Sequence, residues 1–312
     1  MEKSKIEFRQ RRDLGEVIST TMQFIIQNFL HLNGYLLMLA APFILIGLML
    51  TKLMPNDWEV LLNSNPESIL GYIFSAVGLF SLFFVVLTTV LYKYLSLYER
   101  KGAKSFNLDE LFQASLKALP NVLGTFLGFA LLTVMASLVI GVLVGFLSVS
   151  FGLGGVLVSL LLFLLLLIPL VYFIIHLAFV FIIRLEERVG FVKGVQRSFL
   201  LVKGYFWESF GVLIVCSLIQ TAVSYAVLIP LGIFGFTGDL FDLTNNPEAN
   251  SNALLIYYGV SFGLNIFTSI IPILAISLQY YNLVERKESK GLAAQIETIG
   301  TNKDASSDEE QY

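Results

Sequence analysis

Long uncharged stretches alternate with short charged ones along this chain. No Asp, Glu, Lys or Arg occurs in 17–51, 68–92, 118–183, 209–238 or 249–284. A helix needs roughly 20 apolar residues to cross a hydrocarbon core about 30 Å thick, because lipid offers nothing to unpaired backbone groups and a helix pairs its own. Each stretch is long enough. The longest, 118–183, would extend about 100 Å as one helix, and Gly152, Gly154 and Gly155 interrupt it near its middle, so it reads as two crossings. The pattern predicts an all-α integral membrane protein with six transmembrane helices, at 32–53, 67–92, 121–148, 156–183, 208–234 and 252–282. Barrel strands would alternate apolar and polar residues, whereas Leu160 to Ile168 is unbroken apolar sequence.

Three spans are preceded by stretches of helical period with one polar face. The first carries Leu14, Val17, Ile18, Met22, Ile25 and Phe29 opposite Glu16, Gln23 and Gln27. The second carries Leu108, Leu111, Phe112, Leu116 and Leu119, with Asn107 and Glu110 spaced as a capping box and Pro120 as the stop. The third sets Phe191, Val195, Phe199 and Val202 against Lys193, Arg197 and Lys203. These read as three cytoplasmic interfacial helices. Each opens a unit of interfacial helix, span, outer turn, span and charged exit. The exits are Tyr98-Glu99-Arg100-Lys101-Gly102, Leu185-Glu186-Glu187-Arg188-Val189-Gly190 and Val284-Glu285-Arg286-Lys287. Thr21, Ser115 and Ser198 fall at matching places, offset by 94 and then 83 residues. Three parallel hairpin repeats are the expectation, with pseudo-threefold symmetry about the membrane normal rather than the inverted repeats of many transporters. The chain then divides into a basic segment at 1–13, one membrane domain at 14–291, and a tail at 292–312 whose acidic end is expected to be disordered.

Composition agrees with this division. Of 312 residues 56% are apolar and 14% charged, where a soluble domain has about 25% charged residues. A nucleic-acid binder, a disulfide scaffold and a stand-alone soluble enzyme are thereby disfavoured. Six crossings put 19 of the 20 Lys and Arg residues on one side, leaving Lys52 on the other. That side is expected to be cytoplasmic, with both termini. Residues 1–31 lack the short apolar core and cleavage site of a signal peptide. The single Cys216 can form no intrachain disulfide. Trp58, Trp207, Tyr92, Tyr94, Tyr280 and Tyr281 are placed as interface belts.

Candidate chemistry is sparse. The two histidines, His31 and His176, stand far apart, and no His-Glu-x-x-His or Gly-x-x-x-x-Gly-Lys motif occurs. No catalytic residue, metal site or cofactor is expected. His176, Gln220 and Asn265 sit within predicted spans, where they either line a polar pathway or make interhelical hydrogen bonds. Glu208 reads as a helix-start carboxylate. Arg188, Lys193, Arg197 and Lys203 are candidate contacts for lipid head groups, with topology anchoring as the plainer reading. Gly124 and Gly128, Gly141 and Gly145, and Gly259 and Gly263 have the spacing that allows close helix approach.

The segment from Gly194 through Gln196, Arg197 and Lys203 to Trp207, together with Arg11-Arg12-Asp13-Leu14-Gly15-Glu16 and Glu285-Arg286-Lys287, resembles a group of poorly characterised bacterial six-span proteins. These look related to the membrane domain that precedes the catalytic domain in some glycerophosphodiester phosphodiesterases. The resemblance implies a bacterial cytoplasmic-membrane location and no activity, since the phosphodiesterase barrel and its His-Arg-Gly start are missing from the chain. The functional expectation is a non-enzymatic scaffold or accessory component engaging membrane lipids or partner proteins at its cytoplasmic face. A permease or channel for a neutral or amphiphilic solute is the alternative.

Overall fold

The computed structural model describes residues 6–53, 66–102, 105–237, 257, 259–261 and 263–289. The first and last expected outer turns, Trp58 and the tail at 292–312 lie outside them. The elements are α1 (Leu14–Leu53), α2 (Pro66–Lys101), α3 (Leu108–Ala178), α4 (Val180–Glu186), α5 (Phe191–Val202), α6 (Phe206–Thr237) and α7 (Ile270–Glu288), with no strand among the described residues. Among the described residues five helical stretches are long and apolar enough to cross a membrane: Val77–Lys101, Leu108–Gly152, Gly154–Glu186, Phe206–Ile233 and Gly259–Glu288. The expected crossing at 32–53 runs inside α1, and several of its side chains lie outside the described residues.

Gly152 breaks α3. Its φ of 55° and ψ of −132° belong to a region that glycine enters because it lacks a Cβ. Three residues on, a Cβ on Gly155 would stand 1.9 Å from the Leu147 carbonyl oxygen, so the turn closes only around glycine. The two arms then line an apolar cleft of about 470 Å³ through Met135, Val139 and Leu143 on one side and Leu162 and Leu166 on the other. The most apolar window of Leu108–Gly152 has none of its residues buried, against half of that in Val77–Lys101. Soluble monomers rarely expose apolar patches of more than a few hundred Å², so these arms present a surface suited to lipid.

Of the three amphipathic stretches, the one at 191–202 stands as a helix of its own. The other two continue unbroken into the helices that follow. Pro120 does not stop the second one, because α3 runs through it; a proline costs a helix one N–H bond and can be carried where neighbours re-satisfy the freed groups. The starts at Leu14, Leu108 and Phe191 are offset by 94 and 83 residues, as the sequence register requires. Equivalent positions are buried in all three: Val17, Leu111 and Gly194; Thr21, Ser115 and Ser198; Phe24, Ala118 and Leu201. The exits also end alike, with Gly102, Arg188 and Ser289 at φ of 91°, 53° and 48°, the left-handed cap that ends many helices.

The described residues form two compact units, one of Ile18–Leu119 with Ile214–Ala275, the other of Ile6–Val17, Pro120–Leu213 and the chain from Ile276. In the first, the His31 ring Nδ1 lies 3.0 Å from the Tyr94 hydroxyl, and Phe24 meets the rings of Tyr94 and Tyr98 edge-on at centroid distances of 6.4 and 4.7 Å. In the same unit the Ser224 and Thr268 hydroxyls are 3.2 Å apart. Tyr92, Tyr94, Tyr280 and Tyr281 are buried, so these four are core residues and not an interface belt; the rings of Tyr94, Tyr280 and Tyr281 meet other aromatic rings within the protein. Trp207 is 75% exposed.

Candidate functional site

The charged residues of the second unit converge on α7. The approach begins at the N-terminal segment, where Asp13 and Glu16 start α1 by a reciprocal capping box: the Glu16 N–H donates to Asp13 Oδ1 at 2.7 Å and the Asp13 N–H to Glu16 Oε2 at 2.9 Å. That cap fixes the backbone just upstream. There the Arg12 N–H donates to Asn282 Oδ1 at 2.9 Å, while Asn282 Nδ2 donates to the Arg12 carbonyl at 3.0 Å. Phe8 is buried, with its ring 5.6 Å from that of Tyr281. The Arg12 side chain turns back on its own segment, donating to the carbonyls of Phe8 and Glu7 and to Gln10 Oε1. Burial holds this guanidinium below its ordinary pKa, against the opposing pull of Glu16 and Glu7.

Around Asn282 the polar groups form a continuous set. Asn282 Nδ2 donates to Gln279 Oε1 at 3.1 Å, and Gln279 Nε2 to the Ser209 hydroxyl at 3.3 Å. Arg286 grips Glu208 with both carboxylate oxygens, at 2.8 and 3.1 Å, and also donates to the Arg12 carbonyl at 2.5 Å. Glu208 is thus an ion-pair partner as well as a helix-start carboxylate. On the next side, Arg197 Nε donates to both oxygens of Glu187 at 3.0 and 3.1 Å, and its Nη2 to Glu288. Burial lowers the Arg197 pKa, and the bonds to Glu288 and Glu187 more than reverse this, leaving it above its ordinary value. Lys287 donates to the carbonyls of Leu200 and Lys203, tying the end of α5 to α7.

This geometry sorts the four candidate head-group cations. Arg197 is half-buried and engaged by two carboxylates, whereas the side chains of Arg188, Lys193 and Lys203 are exposed. Buried Gly194, Ser198, Leu201 and Val202 fix the inner face of α5. Its outer face mixes Val192 and Leu200, 66% and 62% exposed, with Lys193, Gln196 and Lys203.

The pathway candidates fall in both units. His176 is buried in the second unit, its Nδ1 2.8 Å from the Tyr172 carbonyl of its own helix and its ring stacked on Phe199 at 4.3 Å. The Ser198 hydroxyl donates to the His176 carbonyl. Gln220 and Asn265 belong to the first unit, and Asn265 Nδ2 donates to the Ser261 carbonyl of its own helix at 2.9 Å. Among the described residues no group of three or more His, Cys, Asp or Glu side chains could hold a metal ion.

Asn282, Gln279 and Arg184 escaped the sequence reading. Asn282 and Gln279 stand out as polar residues three apart in the last apolar stretch, a signal that marks a hydrogen-bonding face without naming its partner. Gly124 and Gly128 serve packing within the second unit, since a Cβ on Gly128 would meet the Phe191 ring at 2.7 Å, while Gly141, Gly145, Gly259 and Gly263 face open space. Comparison with family models, with curated proteins and with solved structures finds nothing that matches this chain.

Proposed function

We propose that this chain is a non-enzymatic scaffold or accessory protein of a bacterial cytoplasmic membrane. In this reading it crosses six times with both termini in the cytosol, and it engages lipids and partner proteins through its basic cytoplasmic face. The observation that carries it is the division of labour among charges. Arg12, Arg197 and Arg286 are spent on internal contacts that hold α5, α6, α7 and the N-terminal segment. The exposed face of α5 is left with lysines set among apolar side chains, the composition of helices that lie at a membrane surface. The likeness to the membrane domain of certain phosphodiesterases supports a membrane-domain role.

Crosslinking in native membranes tests it. Replacing Lys193 and Lys203 with Glu is expected to change the set of proteins crosslinked to the full chain. Replacing His176, Gln220 and Asn265 with Leu is expected to leave solute flux through reconstituted liposomes unchanged. Flux that the wild type supports and the triple variant loses would transfer the assignment to a permease.

A further inference from the structure

Arg184 is a buried cation without an acid. It is 8% exposed, and its donors meet neutral oxygens: Nη1 donates to the Asn121 carbonyl at 2.9 Å and to Thr125 Oγ1 at 2.5 Å, and Nε weakly to the Val189 carbonyl at 3.4 Å. Among the described residues no carboxylate lies within ion-pair distance of it; Glu187 and Glu288 are taken by Arg197 and Glu208 by Arg286. Glu186, half-buried two residues on, shares no bond with it. Carbonyls lower the cost of burying a guanidinium and leave its charge uncompensated. Among the described residues no bond from Nη2 completes the fork, and two glycines pack against the side chain. A Cβ on Gly124 would stand 3.7 Å from both Nη atoms, and one on Gly194 would stand 2.9 Å from Cγ.

The start of α5 shares this place. Arg184 bonds the Val189 carbonyl and its guanidinium carbon lies 6.0 Å from the Phe191 ring. Gly190, the N-cap, offers no side-chain bond to the first turn of this 12-residue helix, so its leading N–H groups keep their affinity for an anion. Exposed Lys193 stands on that turn and exposed Arg188 just before it.

We propose that Arg184, the first turn of α5 and Lys193 together hold the phosphate of an anionic phospholipid. A lipid is favoured over free phosphate because Val192 and Leu200 are exposed beside the lysines, an apolar surface that a soluble ion leaves unused. The proposal rests on reading the chain as a membrane protein with α5 at the head-group level.

Native mass spectrometry and thermal unfolding of the detergent-purified full chain test it, with phosphatidylglycerol, phosphatidylcholine and inorganic phosphate added separately. Phosphatidylglycerol is expected to be retained and to raise the unfolding midpoint. Lys193→Gln should weaken its apparent affinity about fivefold, the value of one well-placed cation. Arg184→Lys, which keeps the charge but loses the planar fork, should weaken it further. The proposal falls if both variants bind within about twofold of wild type, if phosphatidylcholine is retained equally, or if inorganic phosphate alone reproduces the shift. Phosphatidylglycerol retention that ignores Arg184 while the crosslinked partners persist removes this site and leaves the scaffold reading in place; partners that do not depend on α5 with retention intact do the reverse.

Discussion

The carboxamide of Asn282 pairs with both backbone groups of Arg12, 270 positions earlier in the chain. Each of those groups is buried, and an orphaned buried N–H or C=O costs about 1–3 kcal/mol. Asn282→Ala removes the donor and the acceptor at once. Part of the loss is recovered because Arg286 also donates to the Arg12 carbonyl, so the expected destabilisation is about 2–3 kcal/mol. It should appear as a lower unfolding midpoint in detergent, with faster tryptic cleavage at Arg9 and Arg11. Cleavage at the wild-type rate with an unchanged midpoint would show that the Asn282 pairing does not hold the segment. In the sequence Asn282 is visible as a polar residue in an apolar run, yet nothing local connects it with Arg12. The tyrosines illustrate the same limit: amphipathic rings near span ends fit a belt and a core equally well, and only tertiary packing assigns Tyr94 and Tyr281 to the core.

At the level of elements, periodicity located the helices well and their continuity poorly. Leu14, Leu108 and Phe191 begin helices in the register that Thr21, Ser115 and Ser198 suggested. The fusion of two amphipathic stretches with their spans was hidden, because a proline such as Pro120 marks a boundary only when no neighbour compensates it. The α3 turn was legible from its three glycines, and the structure separates their roles. Gly155→Ala should be the most damaging change, since its Cβ would collide with the Leu147 backbone. Gly152→Ala should cost about 1–3 kcal/mol for a residue held at positive φ. Gly154→Ala, with open space around it, should be neutral or stabilise by up to about 1 kcal/mol. Unfolding midpoints of the three variants provide the ranking; equal midpoints for Gly155→Ala and Gly154→Ala would refute the close turn.

The three segments expected as repeats share a further placement. Seventeen residues into each repeat stand His31, Thr125 and Glu208, and each meets the exit helix of its own repeat, through Tyr94, Arg184 and Arg286 respectively. If the segments are repeats, one position carries three chemistries for one task. Three equivalent hairpins require an even number of crossings and hence one common side for all three exits. Cysteine labelling in intact cells can test this, and the chain suits the experiment because its own Cys216 is buried. Arg100 and Lys193 are exposed in the structure, so a cysteine at either position escapes an impermeant reagent because of its side of the membrane and not because of burial. Arg100→Cys and Lys193→Cys are expected to stay unlabelled until the cells are opened, whereas Asp57→Cys and Asp239→Cys, in the predicted outer turns, should react at once. Label on either of the first pair in sealed cells would break the alternation on which the six-span arrangement depends, since an odd number of crossings would then separate exits that the repeat places together.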